Sequence, residues 1–101
     1  MNAATTDLVL VTAADGESDP LDDPFVLPRR GPVREAAERW FRRRGHDRAP
    51  DIAAEPDGHE ALLTLVALGY GTGVVPRLVL DTSVVRDRLT VVPTEPPPRP
   101  S

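Results

Sequence analysis

The stretch that most restricts the fold is ALLTLVALGYGTGVVP, residues 61–76. Its first half is apolar at every position except Thr64, so a helix there is expected to be buried on nearly every face. Three glycines follow on alternate positions, Gly69, Gly71 and Gly73, and then a short valine run closed by Pro76. Glycines this close together suggest a phosphate cradle, but the order of elements argues against one. A dinucleotide loop runs strand, glycines, helix, so that phosphate meets the amides at a helix N-terminus. Here the helix comes first, which puts the glycines at the negative end of its dipole. A Walker lysine is also absent, because the chain has no lysine at all. Gly69 is therefore predicted to be the positive-φ residue that ends the helix. Gly71 and Gly73 are predicted to allow a sharp turn into the strand and a close approach of backbones.

The rest of the chain alternates helices with short apolar strands. Strands are predicted at residues 7–13, 24–28, 50–56, 72–76 and 88–93, with a short helix or turn at 77–83. Residues 14–24, ADGESDPLDDP, read as an acidic surface loop without the spacing of a calcium loop. The clearest helix is PVREAAERWFRRRG from Pro32, a residue whose missing amide costs nothing at a first helical position. Val33, Ala36, Ala37, Trp40 and Phe41 form one apolar stripe at helical spacing. Glu35–Arg39 and Glu38–Arg42 are expected as i,i+4 pairs, and Gly45 as the C-terminal cap. This order argues for an α/β fold with a largely parallel sheet. Residues 94–101 form a proline-rich tail, expected to be disordered.

Composition narrows the function classes. The 101 residues suit one small domain with one core, and only four are aromatic, so aliphatic side chains must fill it. There is no cysteine, hence no disulfide, thiol nucleophile or cysteine metal site. No apolar run approaches the ~20 residues that span a bilayer. The N-terminus lacks a signal peptide's basic region, so a cytoplasmic location and no membrane partner are expected. Net charge is −4, with 16 acidic against 12 basic residues, a poor balance for coating nucleic acid. Eight of the 12 arginines lie between Arg29 and Arg48. They read as a nucleic-acid patch or as a solvated helix face sorted for the dipole, and the interleaved glutamates favour the second.

In α/β folds ligands gather beyond the carboxyl ends of strands, where helix N-termini point. Two such places are predicted: LPRRGPV, with Arg29, Arg30, Gly31 and Val33, and PDGHEA, with Gly58 and His59. Each offers open backbone amides, and an arginine could clamp a carboxylate. His59 has two readings, a hydrogen bond to a ligand, or a cap for its own helix facing solvent. His46 is given no role. No catalytic residue, metal ligand set or cofactor site is predicted. An enzyme using His59 and Glu60 as an acid–base pair is the rival reading, weakened because adjacent helical residues point about 100° apart.

The segment VALGYGTGVVP, an apolar helix running into glycine-x-glycine and a strand closed by proline, resembles the effector-binding domain of LysR-type transcriptional regulators. The resemblance spans about residues 7–92. PFVLPRRGPVREAAERWFRRRG, GHEALLTLVALGYGTGVVPRLVL and VRDRLTVV are especially similar to the branch that activates branched-chain amino acid biosynthesis. It implies a periplasmic-binding-protein type II fold, of which residues 1–93 would be the second subdomain, a mostly parallel sheet flanked by helices. It also implies a small carboxylate effector, acetolactate or acetohydroxybutyrate, and oligomers with LysR-type subunits. By the same resemblance Trp40, Phe41 and Ile52 would contact a partner chain. The helix-turn-helix and the first subdomain are expected to be missing, as in a truncated regulator. A fragment that only pairs with intact regulators is a third reading.

Without a helix-turn-helix segment, and with net negative charge, these residues should not bind DNA specifically. A gel-shift titration at moderate salt is expected to give no saturable, sequence-dependent retardation, and such a band would overturn the reading.

Overall fold

The structure, a computed structural model, describes residues 7–16, 23–43 and 51–94. The expected Gly45 cap, His46, the proline-rich tail from residue 95 and the middle of the acidic loop lie outside the described residues. The elements in order are β1 (Leu8–Ala13), β2 (Phe25–Val26), α1 (Pro32–Arg43), β3 (Ile52–Ala54), α2 (His59–Ala67), β4 (Thr72–Pro76), α3 (Arg77–Asp81) and β5 (Leu89–Val92). A single 3-10 turn at Arg86–Arg88, which the sequence did not suggest, leads into β5.

The five strands form one sheet in the order β3-β2-β4-β1-β5. β2 pairs in parallel with both β3 and β4, while β1 is antiparallel to its neighbours β4 and β5. Four strands thus point one way and β1 points the other. Valine and leucine side chains alternate across β1 as a period of two requires. Leu8 and Leu10 join Phe25, Leu27 and Val74 under α1, while Val9 and Val11 join Val26 and Val75 under α2 and α3. A sheet with apolar residues on both faces needs a helix layer on each, and that is the arrangement here.

On the first face the stripe of α1 closes the core. Ala36 and Ala37 bring the helix close, and Trp40 and Phe41 fill the remaining space at 3% and 5% exposure. The Phe41 ring meets Phe25 edge-on at 4.7 Å and Trp40 at 5.2 Å. Such T-shaped pairs contribute ~0.5–1.5 kcal/mol beyond the area they bury. The chain's own sheet covers both rings, which is the core reading of Trp40. Ile52, also expected at a partner contact, sits half-buried on the edge strand β3, packed against the same cluster.

On the second face α2 buries Leu62, Leu63 and Val66. The expectation of burial all round is wrong. Ala61 and Leu68 are exposed, Leu68 at 67%, because only one helix layer lies on this side of the sheet among the described residues. The end of α2 follows its predicted form. Gly69 has φ +92°, its amide donates to the Val66 carbonyl, and the Tyr70 amide donates back to the Leu65 carbonyl. These two bonds are the Schellman closure that a glycine after a helix permits.

Gly71 and Gly73 explain the spacing read from the sequence. A Cβ at Gly71 would collide with the Pro24 carbonyl, which accepts a hydrogen bond from the Thr72 amide at 2.9 Å. A Cβ at Gly73 would sit 2.9 Å from both Leu62 and Val66, where α2 lies on β4. Two outcomes follow. Trp40→Ala should lower unfolding free energy by about 3–5 kcal/mol, the usual cost of emptying a large core site. Gly71→Ala should lower it by about 1–3 kcal/mol through overpacking. Urea denaturation of the two variants checks both, and an unchanged midpoint for either would overturn its assignment.

Candidate functional site

Helices α1 and α2 leave neighbouring parallel strands, β2 and β3, and pass to opposite faces of the sheet. Their N-termini therefore flank one crevice at the carboxyl ends of those strands, the place where open α/β sheets hold ligands. A cavity of about 200 Å³ lies there, lined by Pro28, Arg30, Pro32, Val33, Gly58, His59 and Leu62.

The two sides of the crevice are built alike. Gly31 precedes α1 with φ +106° and its carbonyl accepts from the Glu35 amide at 3.0 Å. Gly58 precedes α2 with φ +93° and its carbonyl accepts from the Leu62 amide at 3.2 Å. At positive φ a glycine turns the chain from strand end into helix within one residue, which a Cβ would oppose. No side chain caps α2, so its first-turn amides stay open toward the crevice. Each N-terminus also carries about half a positive charge from its dipole.

Of the sequence-predicted ligand residues, Arg30, Val33, Gly58 and His59 come together around the cavity. Gly31 contributes the turn but does not line the cavity, and Arg29 is exposed outside it. His59 is half-buried in the lining. Glu60 is exposed and accepts a hydrogen bond from the Ser83 hydroxyl at 3.1 Å, on the side of the chain after α3. The proposed His59–Glu60 acid–base pair is thus divided between two environments. Gly69, Gly71 and Gly73 lie beyond the opposite end of α2 and none of them lines the cavity. Among the described residues, no group of three His, Asp or Glu side chains could hold a metal ion.

Two residues that the sequence reading passed over sit behind the cavity. The Arg34 guanidinium donates to the Pro28 carbonyl at 3.0 Å, to Glu55 Oε2 at 2.6 Å and to Glu38 Oε2 at 3.1 Å. Glu38 thus turns back to Arg34, in the orientation less favoured on a helix. Hydrogen bonding to Glu55 raises the guanidinium above its ordinary, already high value, and the opposing effect of burial does not cancel it. A signal did exist: an arginine in the first turn of a helix opposes the dipole and needs a carboxylate from elsewhere.

The chain matches the LysR substrate binding domain model over residues 4–101. Over 71 residues it is 42% identical to the HTH-type transcriptional activator IlvY of Salmonella typhimurium strain LT2, covering 68% of this chain and 24% of that protein. It therefore spans about a quarter of the length of the curated relatives it matches. Among solved structures it resembles the regulatory domain of Synechocystis PCC6803 CcmR, with a TM-score of 0.72, 23% identity, and coverage of 93% of this chain and 49% of that one. It also resembles HinK, a LysR family transcriptional regulator from Pseudomonas aeruginosa, with a TM-score of 0.71, 17% identity, and coverage of 96% and 36%. The relatives are regulators and not enzymes. The family model over residues 4–101, the shared fold and the 42% identity along about two-thirds of the chain agree: this protein belongs to the LysR substrate-binding domain family.

Proposed function

We propose that this chain is an effector-sensing part of a LysR-type regulator of branched-chain amino acid biosynthesis, and that the crevice takes a small carboxylate such as acetolactate or acetohydroxybutyrate. The observation that carries this reading is the convergence of two glycine-led helix N-termini on one cavity. Open amides and dipole charge suit an anion, Arg30 at the rim adds a bidentate donor, and Val33 and Leu62 offer an apolar wall for a short alkyl group. The cavity is smaller than the ~300–1,000 Å³ of drug-sized pockets, which fits a ligand of a few heavy atoms. The IlvY relatives point to the pathway, and the CcmR domain was solved in complex with 2-PG, so a related domain of this fold carries a small ligand.

The regulator works as an oligomer in this reading. The edge strand β3, with Ile52, is the surface that meets another LysR-type subunit, since Trp40 and Phe41 are spent on the core. DNA contact belongs to the helix-turn-helix part for which the relatives are named, and the site of action is the cytoplasm.

An amide NMR titration with acetolactate, with an uncharged analogue as control, tests the site. The amides of Arg30, Gly31, Val33, Gly58 and His59 should shift, and those of Gly69, Gly71 and Gly73 should stay nearly still. For a site this small the dissociation constant should be about 1 mM or weaker, at most ~4 kcal/mol of binding free energy. Shifts centred on Gly69–Gly73, or equal shifts with the uncharged analogue, would sink the carboxylate reading.

A further inference from the structure

The two loops that line the crevice belong to helices whose buried residues pack on opposite faces of the sheet, in separate core clusters. Backbone pairing ties the strands before them, β2 and β3, only as far as Leu27, whose amide donates to the Ala54 carbonyl at 3.2 Å. Both strands are short, and their register shifts between Phe25, opposite Ile52, and Val26, opposite Ala54. Beyond that bond, the side chain that links the two loops is Arg34. One guanidinium nitrogen, Nη1, reaches the Pro28 carbonyl in the β2–α1 loop and the Glu55 carboxylate at the end of β3. Pro28 itself lines the cavity, and Glu55 lies three residues before Gly58, which also lines it. The third donor, Nε, is held by Glu38 on the same helix, so the guanidinium is anchored before it reaches across. Its side chain is only 19% exposed, and screening is correspondingly weaker than for a surface pair.

We propose that Arg34 is a positioning residue, a clasp that holds the two helix N-termini at the separation needed for one anion and masks the negative charge of Glu55 beside it. The proposal rests on the carboxylate reading of the crevice. Arg34 does not line the cavity and does not touch the ligand. It acts through the Pro28 carbonyl and through Glu55. Geometry and charge work in the same direction: loss of the arginine removes the side-chain link between the loops and leaves Glu55 without its ion-pair partner beside the site.

The test uses the full chain, first without ligand. Arg34→Ala should shift or broaden the amides of Gly58 and His59, on the helix of the opposite face, and leave Val11 and Val74 in the sheet centre unchanged. Glu55→Ala removes a part-exposed carboxylate and tests the clasp from the other side. It should shift the Gly31 amide, at the start of the other helix, which a merely local role of Glu55 would not move. Acetolactate is then titrated. Arg34→Ala should weaken binding by about five- to ten-fold, within the range of couplings between contacting residues. Combining it with Glu55→Gln should recover only part of that loss, because the charge is removed but the clasp is still absent. If wild type binds no acetolactate, yet each variant still perturbs the opposite loop, the clasp stands and the carboxylate reading falls. If the perturbations stay on the mutated element and the affinity is unchanged, the clasp is overturned. Full recovery in the double variant would reduce Arg34 to charge masking and also overturn it.

Discussion

The close seat of α2 on β4 governs the rest of this structure. Gly73 lets Leu62 and Val66 lie against the strand backbone, and Gly71 lets the following turn touch the Pro24 carbonyl. The first contact fixes the height of α2 above the sheet, and the second fixes β4 beside the entry to β2. With its last turn closed by the Gly69 bonds, α2 has one position and one direction. Its N-terminus is then delivered to the carboxyl ends of β2 and β3, where α1 also begins. The glycines that look like a ligand loop act on the site from the far end of the helix.

What this produces at the crevice is mainly electrostatic. Two helix termini bring partial positive charge and unpaired donors to a space only a few heavy atoms wide, and the surrounding apolar side chains strengthen their effect by lowering the local dielectric. Nearby acids would oppose an anion. Glu55 is held by Arg34 and Glu60 accepts from the Ser83 hydroxyl, while Asp57, next to Gly58, is exposed. Such an arrangement suits the binding of an anion as proposed above. It has no nucleophile with an adjacent base, which accords with relatives that are transcriptional regulators.

The core on the first face has a different logic from the second. Three of the four aromatic residues are Phe25, Trp40 and Phe41, stacked edge to face under α1, so the large side chains are concentrated on one face of the sheet. The second face is filled by valine and leucine under α2, and that helix keeps Leu68, beside the half-exposed Tyr70, in solvent.

Local order was legible from the residues because its causes are local. The stripe of α1, the Pro32 start, the apolar strand at β1 and the glycine closure of α2 each depend on neighbours within a turn or a pleat. The crevice could be named in advance for the same reason: a strand, a glycine and a helix N-terminus are consecutive in sequence, twice. Four of the six proposed lining residues do meet there, and Arg29 misses because neighbouring loop residues point in different directions. Tertiary structure decided the remainder. The insertion of β1, antiparallel, between β4 and β5 joins segments with no shared local signal. The exposed side of α2 reflects how many layers cover it, which apolar composition alone does not state. The burial of Trp40 against its own sheet, and the ion pair between Arg34 and Glu55, 21 residues apart, exist only once α1 and β3 are side by side. Spacing along the chain encodes which face a residue takes; which element then lies against that face is set by the packing of the whole.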